Sequence, residues 1–157
     1  MFSITGHNRR AAPDISPWLD SSMDEIAQVL ARYTYAIDTG DWDRLDEVFT
    51  EDAVLDYTSA GGIKGSRAEA KAWLAEVLGA WPGRLHLIGA ASVEITGDEA
   101  VVVASFTDTL SPSRQMILAG TPGLIQGGGY YHHRLRRTEL GWRSRELVEE
   151  QAWRTIT

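Results

Sequence analysis

Asp38 and His86 are the two side chains in this chain whose types and positions point most directly to chemistry. A neutral imidazole is a useful general base because its ordinary pKa is about 6.5. A carboxylate bonded to one ring nitrogen fixes the tautomer and stabilises the imidazolium formed when the other nitrogen takes a proton. With His86 as base and Asp38 as its orienting partner, a proton next to a carbonyl can be removed. A leaving hydroxyl then takes a proton from the same imidazolium or from a tyrosine, which amounts to syn elimination of water. Tyr33 and Tyr57 supply phenols with an ordinary pKa of about 10. They stay protonated at neutral pH and can polarise a carbonyl.

Each of these residues also has a structural reading. Tyr33 lies on an apolar helical stripe, where a core role is equally open. Asp38 falls at a helix end, where it could simply decorate the terminus. A carboxylate at a helix C-terminus opposes the helix dipole, however, and so points to a specific partner. Further pocket candidates follow from strand alternation. Asp108 shares a face with Val102, Ala104 and Phe106, and Tyr131 shares one with His133. Trp73, on a later helix, is a candidate substrate-binding wall. His132 faces away from His133, so the two do not form a chelating pair. No ligand cluster of metal-binding spacing is evident, and neither a metal nor a cofactor is expected. Gly127-Gly128-Gly129 leads into a strand rather than a helix, so it reads as a bulge or bend and not a phosphate loop.

Three helices must position the first of these residues. Ser22 to Glu25 matches a capping box. Ile26, Leu30, Tyr33 and Ile37 then recur at helical spacing up to a stop at Gly40. Asp41 can cap a second helix with Trp42, Leu45, Val48 and Phe49 on its apolar face. A short strand covers Ala53 to Tyr57, with Asp56 turned to solvent. A second capping box, Ser66 to Glu69, opens a third helix carrying Ala70, Trp73, Leu74, Val77 and Leu78, and Pro82 and Gly83 stop it. The second half reads as strands 85–96, 99–110, 124–138 and 141–153, paired as hairpins through Gly97-Asp98 and Glu139-Leu140. The connection 111–123 carries two prolines, and its middle, 115–119, is expected as a flap or an extra strand edge.

Helices followed by strands give an α+β fold class. The expected architecture is a cone-shaped barrel: a curved, mostly antiparallel sheet packed on three N-terminal helices. Its open mouth is a natural ligand cavity. Residues 1–20 read as an extended N-terminal arm and 21–157 as one domain. The 157 residues are 43% hydrophobic and 24% charged, as in a globular protein. The net charge of −7 argues against nucleic acid or an anionic membrane as partner. Arg134, Arg136, Arg137 and Arg143 are expected on an outer sheet face or a pocket rim. The absence of cysteine excludes disulfides and thiolate chemistry. Arg9-Arg10 is not followed by an apolar run, and no segment reads as a membrane span. A cytoplasmic location is compatible with these features.

The motif Tyr33-x-x-x-x-Asp38-x-x-Asp41-Trp42-Asp43-x-Leu45, with Phe49-Thr-x-Asp-Ala53, Gly97-Asp-x-Ala100 and Gly141-Trp142, resembles the nuclear transport factor 2-like superfamily, and within it the SnoaL-like branch. The resemblance spans residues 22–154. It implies a cone-shaped α+β barrel with an apolar pocket, a small-molecule substrate and a homodimer or homotrimer. In lyases of that branch an aspartate at the end of the first helix pairs with a strand histidine, matching Asp38 and His86. Bile-acid dehydratases place a tyrosine at the position of Tyr33, and scytalone dehydratase places one at Tyr57. Scytalone dehydratase also has a tyrosine where this chain has Ile37, and a further histidine where this chain has Gly127-Gly128-Gly129. Scytalone is therefore not the expected substrate. The reading that follows is a cofactor-independent dehydratase-type lyase acting on a small apolar ring compound, such as a polyketide, steroid-like or aromatic intermediate. The alternatives are an isomerase or cyclase of the ketosteroid isomerase type, with Asp38 or Asp108 as base, and a non-catalytic binding or assembly module.

Overall fold

The computed structural model describes residues 16–113, 115, 118–120 and 123–157, with side chains from Ser21 onward. Helix α1 spans Ser16–Thr39. It buries Ile26, Val29, Leu30, Tyr33, Ala36 and Ile37, the stripe its sequence spacing predicts. The start differs from expectation: the helix runs through the capping-box match at Ser22 and across the predicted junction at residue 20. Pro17 is tolerated there because a first helical turn needs no N–H from it. The Ser22 hydroxyl instead accepts a hydrogen bond from Arg137 Nη2 at 2.6 Å. The remainder of the expected arm, residues 1–15, lies outside the described residues.

The end of α1 matters for everything that follows. Gly40 adopts φ 71°, and the terminal bonds run from Gly40 N to Ile37 O and from Asp41 N to Ala36 O. This is the Schellman arrangement, which only a residue at ease with positive φ closes without strain. It stops the helix at Thr39 and leaves Asp38 in the last turn. The predicted second helix is shorter than expected. A 3-10 turn, Trp42–Arg44, passes into α2 at Leu45–Val48, and Phe49 already opens strand β1, Phe49–Asp56. Asp41 makes no cap bond and instead accepts from Arg44 Nε at 2.8 Å.

Helix α3, Arg67–Gly79, has the capping box its sequence announces. The Ser66 hydroxyl accepts from Glu69 N, and the Glu69 carboxylate accepts from Ser66 N. Just before it lies a strand that pattern reading does not mark, β2 at Lys64–Ser66. Lys71 and Arg67 on α3 pair with Asp43 and Asp46, which ties α3 to the second helical segment.

The four long strands are β3 at Gly83–Thr96, β4 at Glu99–Ser111, β5 at Ile125–Thr138 and β6 at Gly141–Ile156. The sheet order is β2-β1-β6-β5-β4-β3. All pairs are antiparallel except β1 with β6. The sheet is curved and unclosed, with β2 and β3 as its edges, and the helices cover its inner face. On β4 the alternation is nearly complete: Ala100, Val102, Ala104, Phe106, Asp108 and Leu110 are all buried. The pairing of β5 with β6 shifts register between Gly128 and Gly129, which is the bulge the glycine run predicts. In the connection after β4, Ala119 N bonds to Gln115 O at 2.9 Å, and the middle of the expected flap or strand edge, residues 116–117, lies outside the described residues.

Candidate functional site

Asp38 and His86 meet. Asp38 Oδ1 lies 2.6 Å from His86 Nδ1, and Asp38 Oδ2 accepts the backbone N–H of the same residue at 3.0 Å. A carboxylate can only accept, so Nδ1 carries the proton and Nε2 is left as the basic nitrogen. The pair is largely enclosed, with side-chain exposures of 9% for His86 and 16% for Asp38. His86 lines a cavity of about 230 Å³, while Asp38 stands behind the ring.

Arg84, two residues before His86 on the same face of β3, braces this end of the site. Its Nε donates to the Asp38 carbonyl at 3.4 Å and its Nη1 to the Leu78 carbonyl at 2.8 Å, and its guanidinium lies over the Trp42 ring. It thereby ties the C-termini of α1 and α3 to the strand that carries His86. Gly40 leaves the space for it, since a Cβ there would come 2.8 Å from Arg84 Nη2.

Tyr33 and Tyr57 form the next layer. Both are buried, both line the cavity, and their hydroxyls are 3.0 Å apart. Burial raises both phenols above the ordinary tyrosine range, so they remain proton carriers across the physiological range. Tyr57 lies just beyond β1 instead of on it, held by Tyr57 N to Ile63 O and Gly62 N to Tyr57 O. Its ring stacks on Trp73 at 5.3 Å, which puts Trp73 on the wall as expected. Tyr131 also lines the cavity, stacked on Phe106 at 4.0 Å and edge-on to Tyr33.

His133 does not line this cavity, although it shares a face with Tyr131. It is buried one step further along β5, beside Tyr33 and Phe49, where helix α1 and the start of β1 cover the sheet. Its Nδ1 is 3.0 Å from Ser144 Oγ, and that hydroxyl donates its hydrogen to Glu146 O at 2.9 Å. Nδ1 is therefore the donor, and Nε2 is a buried acceptor without a partner. Burial pushes the His133 pKa down to about 3, so it is a neutral core group and not a pocket base.

A cross-strand row organises the polar side of the cavity. His86 on β3 pairs with Asp108 on β4, Asp108 with Gly127 on β5, and Gly127 with Arg154 on β6. Asp108 is buried on the cavity wall, and its Oδ1 has no hydrogen-bond partner. That oxygen occupies the space a side chain at Gly127 would need: a Cβ there would come 2.6 Å from Asp108 Oδ1. Glu149, like Arg154 on the same strand, is a polar cavity residue that pattern reading missed. It lines the same cavity, two positions beyond buried Leu147 on the inner face of β6. That same-face relation to Leu147 was the available signal, hidden by the Glu149-Glu150 pair, which looks like a solvated acidic run. Desolvation is the chief cause raising the Glu149 carboxyl to about 7, with the nearby Asp108 charge adding to it. Among the described residues, no group of three or more histidine and carboxylate side chains is arranged to hold a metal ion. No described helix is long and apolar enough to cross a membrane.

A model of the SnoaL-like domain matches residues 21–148. The chain belongs to the SnoaL-like family. That family lies within the nuclear transport factor 2-like superfamily. The chain is 38% identical over 133 residues to uncharacterized proteins of Mycobacterium tuberculosis and Mycobacterium bovis, covering 84% of this chain and 86% of each relative. Among solved structures it is similar to the Kfla4162 protein of Kribbella flavida, with TM-score 0.77 and 22% identity over 87% of this chain and 95% of that one. A provisionally assigned scytalone dehydratase of Novosphingobium aromaticivorans gives TM-score 0.77 at 15% identity, covering 90% and 91%. The hexachlorocyclohexane dehydrochlorinase LinA-type3 of Novosphingobium barchaimii gives 0.74 at 16%, covering 90% and 94%. At these identities the structural likeness speaks for the fold.

Proposed function

We propose that this SnoaL-like protein is a cofactor-independent lyase that eliminates water from a small cyclic β-hydroxy carbonyl compound, with His86 as base and Asp38 as its orienting partner. The observation that carries the reading is the 2.6 Å contact between His86 Nδ1 and Asp38 Oδ1 at the wall of a cavity. It leaves Nε2 as the nitrogen able to take a proton from a bound substrate. One of the paired Tyr33 and Tyr57 hydroxyls donates to the other, and the second keeps its hydrogen for the substrate carbonyl, where enolate charge develops. Two of the structural neighbours are named for a dehydratase and a dehydrochlorinase, and both names describe β-eliminations.

Cavity size narrows the substrate. About 150 Å³ is enough to hold benzene, so 230 Å³ suits one substituted ring or two fused rings better than a four-ring steroid. An isomerase reading is favoured by one observation, the buried and unpartnered Oδ1 of Asp108, which could act as a carboxylate base. Product mass separates the two: elimination loses one water and isomerisation loses nothing.

The test uses 3-hydroxycyclohexanone, followed by the ultraviolet absorbance of the conjugated enone. Wild type should form cyclohexenone and His86→Ala should not. A His86→Ala variant with the wild-type rate would overturn the mechanism.

A further inference from the structure

We infer that Glu149 is the general acid of this cavity, protonating the leaving oxygen while His86 takes the carbon-bound proton. The inference rests on the elimination reading above and adds a second proton carrier to it.

The geometry begins with backbone placement. Glu149 pairs with Tyr131 across β5–β6, so its side chain shares the inner face with Leu147 and points to the cavity that His86 also lines. The strand is pinned at this position. Ser59 Oγ donates to Glu149 O at 2.5 Å and accepts from Gln151 N at 2.9 Å, bracketing the residue from the turn after β1. The carboxyl itself has no hydrogen-bond or ion-pair partner among the described residues. A mostly buried acid facing a cavity without a partner is free to bond to whatever fills the space.

The groups around Glu149 explain why it keeps its proton. Asp108 faces it from β4 and disfavours a second negative charge, and Tyr131 on β5, Tyr33 on α1 and Tyr57 after β1 surround it with neutral phenols. His86 on β3, when charged, and Arg154 on β6 pull the other way, but burial outweighs both. The cavity residues of α3 are apolar: Trp73, Leu74, Val77 and Leu78. With a value of about 7, the carboxyl is close to half protonated at neutral pH, which suits an acid that must give up its proton and recover it in each turnover.

The step balances. His86 Nε2 takes the proton α to the carbonyl, and that C–H electron pair becomes the new C=C bond. The β C–O bond breaks with its electrons on oxygen, and that oxygen takes the Glu149 proton and leaves as water. The imidazolium then returns a proton to the Glu149 carboxylate through the water released or through solvent. The cycle consumes one hydroxy ketone and forms one enone and one water.

The test compares leaving groups. 3-Hydroxycyclohexanone must leave as water and needs an acid, whereas 3-acetoxycyclohexanone leaves as acetate and does not. Glu149→Gln should lose at least about 100-fold in kcat on the hydroxy ketone and less than about tenfold on the acetoxy ketone. Glu149→Asp, which keeps a carboxyl, should recover part of the hydroxy ketone rate. Infrared titration should show a protonated carboxyl band that disappears with a midpoint near 7 in wild type and is missing in Glu149→Gln. Equal losses on both ketones, no loss on either, or no such band would each overturn the assignment. A wild type that eliminates neither ketone would remove the elimination reading and the acid with it. A wild type that eliminates both while Glu149→Gln is unaffected would remove the acid alone.

Discussion

The Asp38 carboxylate grips His86 at two points, the ring Nδ1 at 2.6 Å and the backbone N–H at 3.0 Å. A group held at both ring and backbone cannot rotate its imidazole without breaking a charge-assisted hydrogen bond. The same helix end that places Asp38 is closed by Gly40 and braced by Arg84, so the orientation of the base is set by the termination of α1.

Asp38→Asn should therefore keep the fold and lose the reaction. A carboxamide can accept only through its oxygen, so one of the two contacts is lost and the imidazolium loses its countercharge. A fall in kcat of roughly 100-fold or more on 3-hydroxycyclohexanone is expected, with little change in melting temperature. Proton NMR offers a readout free of substrate. The strongly hydrogen-bonded His86 Nδ1–H resonance, far downfield in wild type, should move upfield in the variant.

Gly40→Ala tests the helix end from the stability side. Alanine at φ 71° is strained, and its Cβ would come 2.8 Å from Arg84 Nη2. The cost should be about 1–2 kcal/mol from the backbone alone, read from urea denaturation. Arg84→Ala should relieve the contact but not the strain, so the double variant should stay destabilised by about the backbone amount.

The two tyrosine hydroxyls, buried and 3.0 Å apart, should behave as one unit. Tyr33→Phe or Tyr57→Phe alone leaves a buried hydroxyl without its partner, costing about 1–3 kcal/mol each. The double variant removes both polar groups and should cost less than the sum. A double-mutant cycle on denaturation free energies measures the difference.

These relations bear on how much of the molecule its sequence discloses. Periodicity locates all three helices and the four long strands, because the apolar stripe of α1 and the alternation of β4 are each continuous. It misses β2 and shortens β1. Three residues at Lys64–Ser66 carry too little pattern, and Phe49 suits a helix face as well as a strand. Pairing by face brings Asp108 and Tyr131 to the cavity. It fails for His133, because a strand's inner face does not say where helix cover ends and cavity begins. Glu149 obeys the same alternation rule as Asp108, but its exposed neighbour Glu150 disguises it. The meeting of Asp38 with His86 is non-local. Residue types make the pair possible, and resemblance to a family singles it out before the structure is known.

His133 gives an acid-limb prediction. Its folded pKa, about 3, is lowered from an ordinary 6.5 by burial. The unfolded chain thus binds a proton that the fold refuses. Stability from this group is complete above 6.5 and is lost as pH falls toward 3. The full shift corresponds to a loss on the order of 5 kcal/mol. His133→Phe should lack this loss, which denaturation measured from pH 7 to pH 4 will show. Because His133 is off the cavity wall, the variant should keep its activity at neutral pH.

Glu149 gives the opposite slope. Its carboxyl is raised from 4.5 to about 7 by burial, so between these values the fold holds a proton that the unfolded chain releases. Stability from this group is complete below about 4.5 and is lost as pH rises through about 7. The loss is about 3 kcal/mol at most, and less where solvent reaches the carboxyl. Glu149→Gln keeps the shape of the neutral acid and cannot ionise. Its stability relative to wild type should therefore be flat at pH 4, grow from pH 5 to about pH 7 and level off above that. The acidic His133 limb is common to both proteins and cancels in that difference, so urea titrations of wild type and variant across the series isolate the one ionisation. A difference that stayed constant with pH would mean that Glu149 is ionised in the fold at neutral pH.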